Sequence, residues 1–562
     1  MVNGRRWLAW FVLCAVSFGA ARAVALPEVC SNTTSSARRT AIAEGVGWIA
    51  RTQDADGRFL YRYDAATDEV VPGYVWIRHA GTMLALAQVV AAGLDVDGEA
   101  ARAFTRANEA SATQLVEAIV DDESRVGLLD GASVSTGGTA LLLLALTEGD
   151  VSDDRLVESL GRHLLASVAP GPDGTSIVLE RADRSLRFVE GSISRFTTGE
   201  VAFALARLER RQPGRGWGER VPEILDYLAL HKADAEGFVP DMADHWAAYA
   251  MAEMTAWPVE SWRSIVGVES ADFADHHVAW AEKQMGLSSI MVRYESQRTN
   301  AGLDRWLRGR TSVGSAIGTH GESLGGWITM ADAVDSLAGV RAGLRERLHC
   351  NASVVVARQI DGDEAQSYPE PERVRGSWLW FDITQVDDQQ HAVSALVAAE
   401  RELEGGGELP RRESLPHSWW MVVLATVAIV NPGRLAAARF RLQPSAVLVA
   451  LVLLVFDGPI LRALDVSVPT AVVAAGVVAI IGSLVALVTR LEPPSPLLAL
   501  WRPEVVVLVI AAGGRPWAIV VGLLIAVAMS KSGSSSRWLT TMWSLVAVVA
   551  GIALIVDGVY AV

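Results

Sequence analysis

Cysteine is scarce, with three in 562 residues. That is too few for a cysteine zinc site alongside any other use. No His-Glu-x-x-His helix motif occurs, so the metalloprotease pattern is absent too. No metal and no cofactor is expected. Clusters of Lys and Arg are also missing, and the net charge is −15. Phosphate contacts need clustered basic residues, so nucleic acid is excluded as a partner. From Ser418 to Val562 ionisable residues almost never fall in the middle of an apolar run. Pumps and transporters bury polar groups along their path. This scarcity argues for an anchor or lipid-contacting module rather than an ion path.

What the chain does have is apolar residues, 51% of the total, at a mean hydropathy of +0.27, beside 20% charged residues. A soluble acidic part joined to a membrane part explains both. The N-terminus pairs Arg5 and Arg6 with the apolar run Trp7 to Gly19, then small residues. That is the secretory pattern, and residues 1–25 read as a signal peptide, with a retained anchor as the alternative. Residues 406–417 read as a linker. Residues 418–562 then carry SWWMVVLATVAIV, SAVLVALVLLVF, PTAVVAAGVVAIIGSLVALVT, EVVVLVIAAGGRPWAIVVGLLIAVAM and WLTTMWSLVAVVAGIALIVDGVYAV. These read as a transmembrane helical bundle of five or six spans, the fourth run broken at Gly513-Gly514-Arg515-Pro516. Arg434, Arg439 and Arg441 place the first loop inside, by the positive-inside rule. The expected location is the bacterial cytoplasmic membrane, multi-pass, with the N-terminal domain extracytoplasmic and the bilayer as one partner. Cys14 leaves with the signal. Cys30 and Cys350 remain as either a disulfide, suited to an oxidising compartment, or two buried thiols.

Residues 26–405 read as all-α. Apolar helices such as STGGTALLLLALTEG alternate with amphipathic ones such as ARAFTRANEASATQLVEAIV and DRLVESLGRHLLASV. Inner apolar helices and outer amphipathic ones suggest an α/α toroid of helical hairpins. The polar starts of its inner helices would gather at one mouth. FLYRYDAATDEVV and SIVLERADRSLRFVEG alternate as strands do, and read as short β-hairpins at that mouth.

One stretch carries a resemblance. WIARTQDADGRF, Trp48 to Phe59, resembles the QW motif of the terpenoid-cyclase and prenyltransferase α-toroid superfamily. Gln53 can serve helix-terminal groups, Gly57 can take a positive φ, and Phe59 is expected to staple the turn to the helix of Trp48. Fainter echoes are YLALHKADAEGF, HLLASVAPGPDG and VVVARQIDGD. The resemblance implies an architecture, but the chemistry does not follow it. The cyclase DxDD motif is absent, the prenyltransferase zinc cysteine is missing, and THGESL lacks the cysteine of complement-type thioesters. The toroid is also similar in shape to six-hairpin glycosidases and polysaccharide lyases, which place acids, His and Trp in a cleft.

Glycoside hydrolysis needs two carboxylates flanking the bond, one kept protonated. Candidate catalytic residues at inner-helix starts are Glu200, Asp244, Asp387, Asp388 and His391. Candidate substrate-binding residues are Arg78, His79, His245, His320, Glu322, Trp246, Trp327 and Trp378. Each also has a structural reading. Glu200 follows Thr197 by three, as in a capping box. Asp244 is placed as an N-cap. Asp387 and His391 stand at i and i+4, as a polar pair does. His276-His277 reads as a solvated face, and the tryptophans as core. Two functions follow: a membrane-tethered toroid enzyme, glycan hydrolase- or lyase-like, acting on an envelope glycan or lipid-linked substrate; or a non-catalytic toroid that binds a protein or peptide at the membrane.

Overall fold

A helix with apolar residues all round must be covered on every side, whereas an amphipathic helix buries a stripe. The two kinds alternate here. The computed structural model describes Cys30 and residues 33–403, except 150–152, 237–242, 269–271 and 297–314. They belong to one compact unit, Val29–Pro410. The expected signal peptide, linker and spans lie outside the described residues. Among the described residues, no helix is long and apolar enough to cross a membrane.

The described helices of ten residues or more are α1 (Ser35–Thr52), α2 (Trp76–Ala91), α3 (Glu99–Ala112), α4 (Thr136–Glu148), α5 (Asp154–Ala166), α6 (Thr197–Arg211), α7 (Val221–Leu230), α8 (His245–Thr255), α9 (Asp275–Ser296), α10 (Ser315–Ala333), α11 (Arg341–Ala357) and α12 (Val386–Leu403). The even-numbered helices form an inner ring. Each touches the next, and α12 returns to α2. The odd-numbered helices lie outside: α1 on α12, α3 on α2, α5 on α4, α7 on α6, and α9 and α11 on α10. The described residues of this unit thus form an α/α toroid. Helix α4 is buried from Thr136 through Thr147, while α5 buries only the stripe of Val157, Ser159, Leu160, Gly161, His163 and Leu164.

The first and last helices close the ring through charge. Buried Arg38 of α1 bonds Glu400 of α12 at 2.5 Å, and Ser35 and Arg39 donate to the same carboxylate at 2.7 and 2.9 Å. Cys30 and Cys350 form a disulfide, Cα to Cα 4.9 Å, tying the start of the unit to α11.

All strand pairs are antiparallel. One sheet has the order β2-β1-β10-β9, with β1 Arg62–Asp64, β2 Glu69–Val70, β9 Leu379–Trp380 and β10 Ile383–Gln385. A second has the order β3-β4-β5-β8, with β3 Leu115–Val120, β4 Glu123–Asp130, β5 Ser133–Ser135 and β8 Arg181–Ala182. A hairpin joins β6 (Val168–Pro170) and β7 (Ser176–Val178). Strand β5 runs straight into α4, and β10 into α12, so both larger sheets stand at the N-terminal ends of inner helices. One sequence expectation is corrected here. ARAFTRANEASATQLVEAIV is not one helix: α3 stops at Ala112, and Leu115–Val120 pairs with Glu123–Leu128. The alternating Leu, Val, Ala and Ile of that tail satisfy a strand, and the pairing outweighs continuation of the helix.

The QW-like stretch is a clip between helices. Gln53 ends α1; its Nε2 donates to Gly57 O at 2.8 Å and Ala103 O of α3 at 3.1 Å, and its Oε1 accepts from Arg106 at 2.8 Å. Gly57 has φ 81°, and a Cβ there would overlap the Arg106 carbonyl. Phe59 packs on His79 of α2, ring centroids 4.8 Å apart. Trp48 donates to Arg373 O at 2.6 Å. The motif thus locks two outer helices together.

Candidate active site at the mouth of the inner ring

Each inner helix presents its first turn to the same end, and their polar residues meet there. Arg78 of α2 pairs with Asp387 of α12 at 2.9 Å. Asp387 lies 3.4 Å from Nε2 of His391, one turn further along α12. Nδ1 of His391 bonds Glu322 of α10 at 2.6 Å, and Tyr249 of α8 donates to the other Glu322 oxygen at 3.2 Å. The His245 ring stands edge-on to His391 at 5.2 Å, and Trp246 lies 4.2 Å from His245 and 6.2 Å from His391. Glu200 of α6 lies against Gly137 of α4, where a Cβ would overlap its Oε2. Residues from α2, α4, α6, α8, α10 and α12 thus surround one point.

Burial and charge set these groups apart. Burial, then the neighbouring Glu180 carboxylate, pushes Glu200 up to about 8, so it is a protonated acid at neutral pH. Burial alone would raise Asp387 as well, but His391 and Arg78 hold it below the ordinary value. Burial would lower His391; the Glu322 and Asp387 carboxylates overcome that and raise it to about 10. Glu322 itself is pushed up by burial, with His391 opposing. His245 is held well below its ordinary value, first by burial and then by His391, and so stays neutral. Burial takes His320 down to about 4.

Several of these atoms have no hydrogen-bond partner among the described residues: Glu200 Oε2, His245 Nε2, His320 Nδ1 and Gln390 Oε1. All four side chains are buried. Buried polar atoms without partners are uncommon and call for an explanation. His245, Glu322 and His391 also offer one donor atom each within 4.8 Å of one another, a set able to hold a metal ion.

The candidates divide. Glu200 is not a capping residue. Thr197 donates instead to Glu180, and α6 has no side-chain cap. Asp244 is the cap its position suggested: it accepts from Ala247 N at 3.1 Å and pairs with Lys232 at 2.5 Å. With both oxygens engaged, it positions α8 rather than moving protons. Asp388 is buried in the first turn of α12. His79, expected to bind substrate, has both ring nitrogens engaged within the protein: Nδ1 meets Tyr74 at 2.5 Å and Nε2 meets Ala107 O at 2.9 Å. Trp327 and Trp378 are fully buried, and Trp378 donates to Val355 O at 2.8 Å. They are core, because aromatic area of that size is worth more buried than exposed. Trp246 is buried too, but its ring packs against His245 and His391 at the mouth.

Tyr249 and Glu180 were missed. Tyr249 stands four residues after His245, on the same face of α8, which is a legible signal. Glu180 sits in a loop and reaches α6 only through the fold. The turn between β9 and β10 adds exposed Trp380 and Phe381; Phe381 and Asp382 take φ of 48° and 61°.

No family model and no curated protein matches the chain. Several solved structures overlap it. A GH76 α-mannanase of Bacteroides thetaiotaomicron is 10% identical and covers 66% of this chain and 97% of its own, at a TM-score of 0.43. A sugar epimerase from a ruminal bacterium is 15% identical, covering 67% and 100%, at 0.42. The cellobiose 2-epimerase of Spirochaeta thermophila is 13% identical, covering 65% and 96%, at 0.44. What the mouth can do is therefore read from its own geometry.

Proposed function

We propose that this toroid is an extracytoplasmic, membrane-tethered enzyme that cleaves an envelope glycan or lipid-linked sugar by general acid–base chemistry. The observation that carries the reading is the divergent tuning of two buried carboxyl groups around one arginine. Glu200 is raised to about 8 and Asp387 is held low, and Arg78 acts on both. Pairs of titratable groups whose surroundings push them apart mark acid and base assignments. Glycosidic cleavage needs that division: a carboxylic acid protonates the leaving oxygen while a carboxylate serves the opposite face.

In this reading Glu200 gives its proton to the leaving oxygen. Asp387 stays ionised because Arg78 and His391 hold it so, and acts as base or nucleophile. Glu322 and Tyr249 fix the His391 ring. His245, neutral and with a free Nε2, and Trp246 line the sugar site. The exposed Trp380 and Phe381 offer rings for a sugar chain approaching along the hairpin. The scaffold reading expects the acids to be caps; Asp244 fits that description, and Glu200 and Asp387 do not.

The test is turnover by the purified full-length chain on envelope glycans and lipid-linked oligosaccharides, read as new reducing ends. Activity lost in Glu200→Gln and Asp387→Asn, with the melting temperature kept, supports the enzyme. An unsaturated sugar product, with activity lost in His245→Gln instead, makes it a lyase. No turnover on any glycan, with both acid variants melting sooner, leaves the scaffold.

A further inference from the structure

On the outer ring, away from the mouth, α7 and α9 meet through three side chains that the function above does not use. His276 and His277 are consecutive on α9, where neighbouring side chains ordinarily diverge. Here their rings lie 4.2 Å apart. His276 Nε2 sits 2.6 Å from Asp226 Oδ1 of α7, and His277 Nε2 approaches the same oxygen to 2.9 Å. His277 is 6% exposed, and its Nε2 makes no hydrogen bond of good geometry. Two imidazoles are thus turned onto one carboxylate oxygen, and the buried one gains no well-formed hydrogen bond there. Donor atoms of all three residues lie within 4.8 Å of one another.

We propose that Asp226, His276 and His277 form a binding site for a divalent transition metal, with zinc the best match. Two imidazoles and a carboxylate are borderline donors of the kind zinc takes. Zinc holds nitrogen at about 2.0–2.1 Å and carboxylate oxygen at about 2.0–2.2 Å, which puts tetrahedral donors about 3.3 Å apart. The present 2.6 and 2.9 Å contacts need only a small outward turn of the Asp226 carboxylate to admit the ion. Bound there, the ion would satisfy His277 Nε2 and tie α7 to α9. His276 and Asp226 are both partly exposed, so the ion has a route in from solvent and water can fill the fourth position. The set is separate from His245, Glu322 and His391, which belong to the mouth.

The experiment is calorimetric titration of the chelator-stripped full-length chain with Zn²⁺, together with visible spectra under Co²⁺. The expected result is saturable binding of Zn²⁺ and the absorption bands of tetrahedral cobalt. Both should weaken about tenfold or more in His276→Ala and in Asp226→Asn, and persist in His391→Gln. His276 and Asp226 are the positions to change because neither is a core side chain; circular dichroism confirms that each variant is folded. Absence of binding in the wild-type chain overturns the proposal. So does binding unchanged in both outer-ring variants, or lost in His391→Gln, which would put the ion at the mouth.

Discussion

At the C-terminal ends of the inner helices, Arg207 is held between Glu148 at 2.5 Å and Glu253 at 2.6 Å, while Arg210 reaches Glu253 at 2.5 Å and Arg401 reaches Glu148 at 3.1 Å. Each of these five charges faces an opposite one. At the N-terminal ends the same residue types meet under a different rule. Glu200 faces other carboxylates, one oxygen has no partner, and two histidines 5.2 Å apart are driven in opposite directions. The paired end serves the ring. The mismatched end costs stability, and the closed ring around it holds the mismatch in place, as functional sites commonly require.

The largest expected effect breaks the mouth alone. Glu200→Gln keeps the shape and removes the proton donor. Turnover should fall by about 10²–10⁴-fold, with the melting temperature unchanged or raised, because an unfavourable carboxyl is gone. Equal turnover in the variant would remove Glu200 from the chemistry and dissolve the contrast between the ends. The matching break at the other end is Arg207→Ala. It removes the buried partner of Glu148 and Glu253, whose side chains are 11% and 12% exposed, and leaves them only the more exposed Arg401 and Arg210; it should cost about 1.5–3 kcal/mol of stability. Denaturant unfolding measures this, and a loss below about 1 kcal/mol would mean the network is decorative.

Glu200 at the mouth and Glu148 at the other end should also respond to pH with opposite signs. Glu200 is raised in the folded state, so its contribution is present below the ordinary value of 4.5 and is lost as pH climbs toward about 8. His391, also raised, contributes below 6.5 and loses that contribution as pH passes about 10. Glu148 is depressed: burial would raise it, but Arg207 and Arg401 win. Its contribution holds above 4.5 and fades as pH falls through the lowered value. Melting temperature against pH should therefore erode on the alkaline side through Glu200 and His391, and on the acid side through Glu148, joined there by the lowered Asp387, His245 and His320 of the mouth. Glu200→Gln should flatten the wild-type decline between about pH 4.5 and 8. An identical profile in both proteins would mean Glu200 titrates normally.

This division was only partly legible in the sequence. The alternation of all-apolar and amphipathic helices follows from the area each must cover, so the two-layer ring could be read from TALLLLALT beside DRLVESLGRHLL. The mouth was legible as a list, since Glu200, His245 and Asp387 fall in the first turns of inner helices, with His391 one turn and Glu322 about two turns further in. Which of them are caps was not. Asp244 and Glu200 have similar local signatures, and only the fold brings Lys232 to one and leaves the other facing Glu180. The tryptophans look alike in sequence, and Trp378 and Trp246 are both buried, yet only Trp246 packs against the histidines of the mouth. The charged network at the base was missed because Glu148, Arg207, Glu253 and Arg401 sit on four separate helices, and no spacing connects them.

The smallest effect supplies the background against which both ends are judged. Gln53 belongs to neither; it joins α1 to α3 through Gly57 O, Ala103 O and Arg106. Removing its side chain leaves a carbonyl of the α3 helix and a guanidinium to find water. Both lie at a part-buried, partly wet position, so the loss should be about 1–2 kcal/mol. Turnover should not change, because the clip does not touch the mouth. Gln53→Ala therefore calibrates the other variants: a similar fall in melting temperature with full activity shows what purely structural damage looks like. Should Gln53→Ala lose turnover as well, the inner ring would be sensitive to strain anywhere in the outer one, and loss of activity in Glu200→Gln would have to be read against that baseline.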